Sequence, residues 1–354
     1  MPEPLEQLTQ HLNTAQTLAE PQVWQAVEQL ASENVSAGLK AGFLTALADK
    51  GETPEEIAAF ARALRDKSIQ PPIEKNWRDS REILDVVGTG GDRLSTFNIS
   101  TTVALLCAAA GVTVAKHGNR AVTSSVGSAD VIEELGIRVD LSPTEAARSL
   151  REHNFAFFFA PNFHPAFKNI APARKLCAAR GQRTIFNILG PLLNPAHPSA
   201  LLVGVPRPEL CEPMARALQS LGARRGMVVA GETGLRKSEA GNCLDELSTL
   251  GANHVAEFYQ ERGLAVSTLS PEVFPLQPAT LADLHGGDKS VNAEIIRRIL
   301  RGDERGPKRD AVLLNAGAAL FVAGRAKSVT EGWFLAGETI DSGRANAKLA
   351  ELAR

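Results

Sequence analysis

From Ile83 onward the chain carries short, wholly apolar, β-branched runs separated by stretches of helical periodicity, and this alternation constrains its fold more than any other feature. A strand that is apolar on both faces needs cover on both faces, which a parallel sheet flanked by helices supplies. The expected strands are Ile83 to Val87, Val112 to Ala115, Phe155 to Phe159, Leu201 to Val205 and Met227 to Ala230. Helices should begin near Ile99, Ala129, Pro143 and Pro208, the third introduced by Ser142 and Glu145 as a capping box.

The first part of the chain reads differently. From Leu5 to about Ser68 the pattern is helical throughout, with one apolar stripe at Val23, Ala26, Val27 and Leu30 and another at Leu39, Phe43, Leu44 and Leu47. No strand is expected before residue 80. Thr53, Pro54 and Glu56 form a helix start signal, while "IQPPIEKNWRDS" reads as a linker because consecutive prolines stop helix and sheet alike. The expected fold class is α/β. A small N-terminal all-helical domain over residues 1–72 precedes a large α/β domain over residues 73–354 with a central, mostly parallel sheet flanked by helices.

Composition excludes some functions. Lys plus Arg nearly balance Asp plus Glu, for a formal net charge of -2, so no global field draws in nucleic acid or anionic lipid, and any anion site must be local. The cysteines Cys107, Cys177, Cys211 and Cys243 are widely spaced, without a Cys-x-x-Cys pair or a leader sequence, and are read as reduced thiols of a cytoplasmic protein. The most apolar runs, "VALLCAAAGVTVA" and "FAFFFAP", fall short of the roughly 18 to 20 residues of a membrane span.

Four segments carry chemistry. "DVVGTGGDRLSTFNIS" (85–100) lies where a strand ends and a helix begins, the place where α/β sheets bind ligands and helix N–H groups face anions. Gly88, Gly90 and Gly91 let backbone wrap a phosphate, and Asn98, Ser100 and Thr101 add donors; taken alone, the stretch can equally be a plain tight turn. "KHGNRAVTSSVGSAD" (116–130) clusters Lys116, His117 and Arg120 after the next strand, with Ser128 able to cap a helix. Two such loops on adjacent parallel strands face one crevice. "CLDELS" (243–248) places Asp245 beside Glu246, a pair that suits a metal-diphosphate complex, although such a pair is usually solvated surface. "HPAFKNIAPARK" (164–175) reads as a helix with Lys168, Arg174 and Lys175 near its end, where Arg174 can clamp a carboxylate or merely favour the helix dipole.

With these segments in order, the chain resembles the anthranilate phosphoribosyltransferase family, of nucleoside phosphorylase class II fold. The motifs are "KGETPEEIAAFARAL", "GTGGD", "TFNIST", "KHGNRAV", "GSAD", "FAPNFHPAFK", "RTIFNILGPLLNP", "LDELS", "GGDKSVNAEIIRRIL" and "LLNAGAALFVAG". Each is weak singly, but together they span nearly the whole length. The resemblance implies transfer of a phosphoribosyl group from 5-phosphoribosyl 1-pyrophosphate (PRPP) to anthranilate in tryptophan biosynthesis, with Mg2+, two ions per subunit once donor is bound. It assigns the donor to Gly88, Thr89, Gly90, Gly91, Asp92, Thr96, Asn98, Ser100, Thr101, Lys116 and Ser128. It assigns anthranilate to Gly88, His117, Asn119, Pro161, His164 and Arg174, and metal to Ser100, Asp245 and Glu246. It also implies a homodimer joined through the helical domain, with the helix near 164–180 packing back onto that domain.

Four stretches depart from the family pattern. Arg93 replaces a glycine after "GTGGD"; Ser125, Val126 and Gly127 replace a Lys-Ser type pair and Gly; the stretch from Arg174 to Arg183 is about three residues longer; and "AGETGLRKSEAGN", with Arg236 and Lys237, replaces a short turn ahead of "LDELS". These loops keep two alternatives open: a different aromatic amine or nucleobase acceptor, or a non-catalytic family member that binds nucleic acid, which the net charge and the Asp245-Glu246 pair oppose.

Overall fold

The computed structural model describes residues 4–121, 126–234, 243–259 and 262–353. Four helices come first: α1 (Pro4–Asn13), α2 (Glu20–Ala31), α3 (Ala37–Lys50) and α4 (Pro54–Asp66). The start of α4 is a reciprocal cap. Thr53 Oγ1 accepts from Glu56 N (3.2 Å) and Glu56 Oε2 accepts from Thr53 N (2.9 Å). The prolines of the expected linker are followed by a short helix, α5 (Lys75–Asp79), which the reading of a bare linker did not include.

The α/β part runs β1 (Ile83–Gly88), α6 (Ile99–Ala109), β2 (Thr113–Gly118), α7 (Ser128–Glu134), α8 (Pro143–His153), β3 (Phe155–Phe159), α9 (Ala160–Phe163) and α10 (Phe167–Ala179). It continues through β4 (Ala200–Gly204), α11 (Cys211–Ser220), β5 (Arg225–Glu232), β6 (Cys243–Leu244), β7 (Asn253–Tyr259) and β8 (Arg262–Leu269). Helices α12 (Lys289–Arg301), α13 (Pro307–Val322), α14 (Val329–Asp341) and α15 (Arg344–Leu352) close the chain. The sheet order is β3-β2-β1-β4-β5-β7-β8, parallel from β3 to β5 and antiparallel beyond, with β6 also paired to β5.

Successive residues of the inner strands feed opposite layers, which explains their unbroken apolar runs. On β4, Leu202 joins the cluster under α6 and α13, whereas Leu201 and Val203 join the cluster on the other face. That second cluster also contains Val27, Phe43, Phe60 and Leu64 of the N-terminal helices. The helical region therefore shares one core with a face of the sheet. Helix α10 lies against it, with Lys40 Nζ donating to the Asn169 carbonyl (2.8 Å) and Ile170, Ala173 and Cys177 buried in the same cluster.

Several local expectations shift. The 208 helix starts as a 3-10 turn, Pro208–Leu210, and becomes α-helical at Cys211. Ser128 is the first residue of α7 rather than its cap; Gly127 holds the cap position and donates its N–H to Asp130 Oδ2 at 3.0 Å. Helix α10 begins at Phe167, so Lys168 stands in its first turn and not near its end. The antiparallel strands β6 to β8 were not anticipated.

Candidate active site

Loops at the carboxyl ends of β1 and β2 frame a cleft of about 500 Å³, within the usual range of ligand pockets. β1 ends at Gly88, in register with Gly204 of β4. The segment Asp245-Glu246 crosses directly over this glycine pair. A Cβ on Gly88 would stand 2.1 Å from Asp245 Oδ2, and one on Gly204 would stand 1.6 Å from the Asp245 carbonyl oxygen. Two glycines on neighbouring strands thus create the seat for the carboxylates. Gly90 N donates to Asp245 Oδ2 (2.6 Å), and Ser100 N, at the start of α6, donates to Glu246 Oε1 (3.2 Å).

The loop between β1 and α6 coils through four left-handed residues: Gly90 (φ 75), Gly91 (φ 90), Arg93 (φ 61) and Ser95 (φ 55). Arg93, where the family pattern expects glycine, adopts the left-handed backbone that favours glycine, at a cost of roughly 1 kcal/mol. Asp92 stands close enough to Asp245 and Glu246 to raise both carboxyls, adding to the larger effect of burial. Such crowding of oxygen anions fits a hard divalent cation. Among the described residues no three side chains converge into a full metal cage.

Lys116, 1% exposed, donates from Nζ to the Val86 carbonyl at 2.8 Å. Burial lowers its ammonium, and the negative charges of Asp85 and Glu246 counter this. Asp85 lies below the cleft floor, fully buried, accepting from Asn194 Nδ2 (2.8 Å) and His117 N (3.3 Å). Its carboxyl is pushed up to about 6 by burial, against the pull of Lys116. Arg120 is neutralised by Asp130 (3.0 Å) and Glu133 (2.9 Å), so the cation expected at the second loop is already paired.

The far end of the cleft is aromatic. Arg174 is half-buried, its guanidinium 5.5 Å from the Phe186 ring centre, and Phe167 meets Phe186 edge-on at 5.7 Å. His117 Nδ1 contacts the Gly190 carbonyl (3.2 Å), leaving its buried Nε2 without a hydrogen-bond partner; the Thr101 hydroxyl is likewise unpartnered. Burial holds His117 neutral, pushing it down to about 3, and His164 down to about 4.

One cleft gathers most residues singled out in the sequence: Gly88 through Asp92, Thr96, Asn98, Ser100, Thr101, Lys116, His117, Asn119, Ser128, Arg174, Asp245 and Glu246. Two stand apart. Pro161 is exposed on α9 outside the lining, and His164 is buried one layer behind, its ring 5.3 Å from His117 and stacked on Phe167 at 5.2 Å. Asn98 faces inward to protein, its Nδ2 donating to the Val126 carbonyl (3.4 Å) and its Oδ1 accepting from Asn292 (3.0 Å). The stretch from Arg174 to Arg183 forms the last turns of α10 and a bend at Gly181, and Arg174 lines the cleft. Ser125 and residues 235–242, with Arg236 and Lys237, lie outside the described residues. Sequence reasoning gave no role to Phe167, Phe186 or Asp85, although Phe167 and Phe186 lie in the motifs "FAPNFHPAFK" and "RTIFNILGPLLNP".

Residues 5–68 match the helical bundle domain of a glycosyl transferase family, and residues 80–346 match its a/b domain. The anthranilate phosphoribosyltransferase of Geobacter sulfurreducens is 45% identical over 345 residues, covering 95% of this chain and 94% of the relative. The crystal structure of the Thermus thermophilus anthranilate phosphoribosyltransferase superposes with a TM-score of 0.85 at 41% identity, over 98% of each chain. A Saccharomyces cerevisiae enzyme of that name, solved in complex with PRPP and Mg, gives a TM-score of 0.85 at 27% identity, over 98% of this chain and 96% of its own. Likeness this long, carried by both domains in order and by the cleft at the strand ends, means that the chain belongs to the anthranilate phosphoribosyltransferase family.

Proposed function

We propose that this protein transfers the 5-phosphoribosyl group of PRPP to the amino nitrogen of anthranilate, releasing pyrophosphate, in tryptophan biosynthesis. The observation that carries the reading is a cleft with opposite ends. Crowded carboxylates, Lys116 and helix-start N–H groups occupy one end, and Arg174 among aromatic rings occupies the other. Asp245 and Glu246, with Asp92 nearby, would hold Mg2+, which neutralises diphosphate charge as the leaving group departs. Two ions per subunit, the number the family resemblance implies, would be tested by a metal titration in the presence of donor.

The remaining chemistry is done by positioning and charge. The N–H groups at the start of α6, the loop from Thr89 to Asp92 and the Lys116 ammonium face the diphosphate and stabilise charge that grows as the C1–O bond breaks. Arg174 pairs with the anthranilate carboxylate, and Phe167 and Phe186 hold the ring so that its nitrogen faces C1 of the ribose. The bond from nitrogen to C1 forms, the electron pair of the C1–O bond leaves with pyrophosphate, and the amine proton passes to solvent. His117, held near 3, is too weak a base to drive that transfer. Arg174 lines the cleft beside Phe186, which supports anthranilate over an acceptor without a carboxylate.

The helical region, residues 1–72, serves in this proposal as the homodimer surface, which sedimentation at micromolar concentration would test. The test of activity is loss of anthranilate fluorescence on mixing the protein with PRPP and Mg2+. Loss that needs both supports the reading, and none under saturating donor refutes it. Among the described residues no helix is long and apolar enough to cross a membrane.

A further inference from the structure

We propose that Arg93, Arg183 and Arg207 form a cationic collar outside the diphosphate loop, which holds the distal phosphate of the donor and, after transfer, free pyrophosphate. This deepens the function proposed above and rests on it, adding a subsite built from a residue where the family carries glycine. Arg93 is exposed at the cleft lining and held at φ 61, two residues before Ser95 at φ 55. Side-chain-bearing residues persist in such conformations where the surroundings demand them, typically at ligand loops.

Arg183 completes the arrangement from the other side. Its Nη2 donates to the Gly91 carbonyl at 3.1 Å, and a Cβ on Gly91 would lie 3.4 Å from that same nitrogen, so the guanidinium rests against the loop. One bond leaves most of its donors free. The positive charges of Arg207 and Arg93 both act on Arg183, adding to burial in lowering it. Among the described residues none of the three forms a close ion pair, in contrast to Arg120, which Asp130 and Glu133 neutralise, although the charge of Arg207 also acts on the Glu52 carboxyl. Arg183, against Gly91, and Arg93, two residues further along the same loop, are like charges that repel until an anion joins them, and planar guanidinium forks match phosphate oxygens. The carboxylates at the cleft floor would hold the metal side of the diphosphate, and the collar would hold its outer oxygens.

The test is calorimetric titration of pyrophosphate in Mg2+ into the full chain, beside steady-state turnover, for wild type, Arg93→Gly, Arg93→Lys and Arg207→Gln. Glycine suits the backbone at position 93, so the first variant removes the cation and leaves the loop unstrained. Arg93→Gly should weaken pyrophosphate and raise the donor KM about tenfold each, with the anthranilate KM within twofold of wild type. Arg93→Lys should recover part of the loss, and Arg207→Gln should lose about threefold. Pyrophosphate binding by Arg93→Gly within twofold of wild type overturns the collar, even if anthranilate is consumed normally. Arg93-dependent pyrophosphate binding without anthranilate consumption overturns the acceptor assignment and upholds the collar.

Discussion

Replacing Gly204 by alanine tests whether the glycine pair beneath Asp245 is the device that places the metal carboxylates. The new Cβ would stand 1.6 Å from the Asp245 carbonyl oxygen, 2.2 Å from its carbon and 3.0 Å from Glu246 N. The obstacle is backbone, so no rotamer change relieves it. Restoring an ordinary contact near 3.4 Å needs a retreat of about 1.8 Å by the Asp245-Glu246 segment. That movement breaks the 2.6 Å bond from Gly90 N and the 3.2 Å bond from Ser100 N together. A displacement of about 1 Å in positioned groups can cost 10²-fold. The expected loss in kcat/KM is therefore at least about 10²-fold, near 2.7 kcal/mol, with a raised Mg2+ requirement. Circular dichroism and a melting curve would establish that β4 still forms, and Gly42→Ala, which meets nothing within 4 Å, is the control. Turnover by Gly204→Ala within threefold of wild type, at unchanged Mg2+ dependence, would refute the argument.

Three further outcomes follow from the same geometry. Asp245→Asn combined with Glu246→Gln should abolish Mg2+-dependent turnover while raising the melting temperature in metal-free buffer, because it removes crowded carboxylates that burial already disfavours; thermal unfolding beside the fluorescence assay reads both. Arg174→Ala should raise the anthranilate KM about 10²-fold and leave pyrophosphate binding unchanged, since a lost charge-assisted pair acts only at the acceptor end. The third concerns pH. His164 is held down to about 4 in the folded protein by burial, so its stability contribution is full above about 6.5 and lost as pH falls through 4. From pH 8 to pH 5 this amounts to about 2 kcal/mol, and His164→Phe, which preserves the ring beside Phe167, should remove that slope from denaturant melts. An unchanged slope would mean that His164 does not hold its proton deficit in the fold.

The parallel strands were legible in the sequence because each had to be apolar at every position. Leu201, Leu202 and Val203 bury alternately into two different cores, which asks for such a run. Strands β7 and β8 escaped because they lie toward the edge, where only one face needs to be apolar; Val266 on β8 is 61% exposed. Glycine marked where atoms come close without showing what comes close: Gly88 was read as room for a phosphate, and a Cβ there would meet Asp245. The site was not legible where a charge is answered from afar. Arg120 looked available until Asp130 and Glu133 were seen to neutralise it, whereas Arg93 lines the cleft on a left-handed backbone with no such partner among the described residues. Nor does spacing reveal Asp85, buried under the floor and sharing its field with Lys116. Local sequence shows which backbone must bend and which side chains have the right chemistry. Whether a charge remains free for a ligand depends on partners brought in by the fold, and that separates Arg93 from Arg120 on two loops of similar composition.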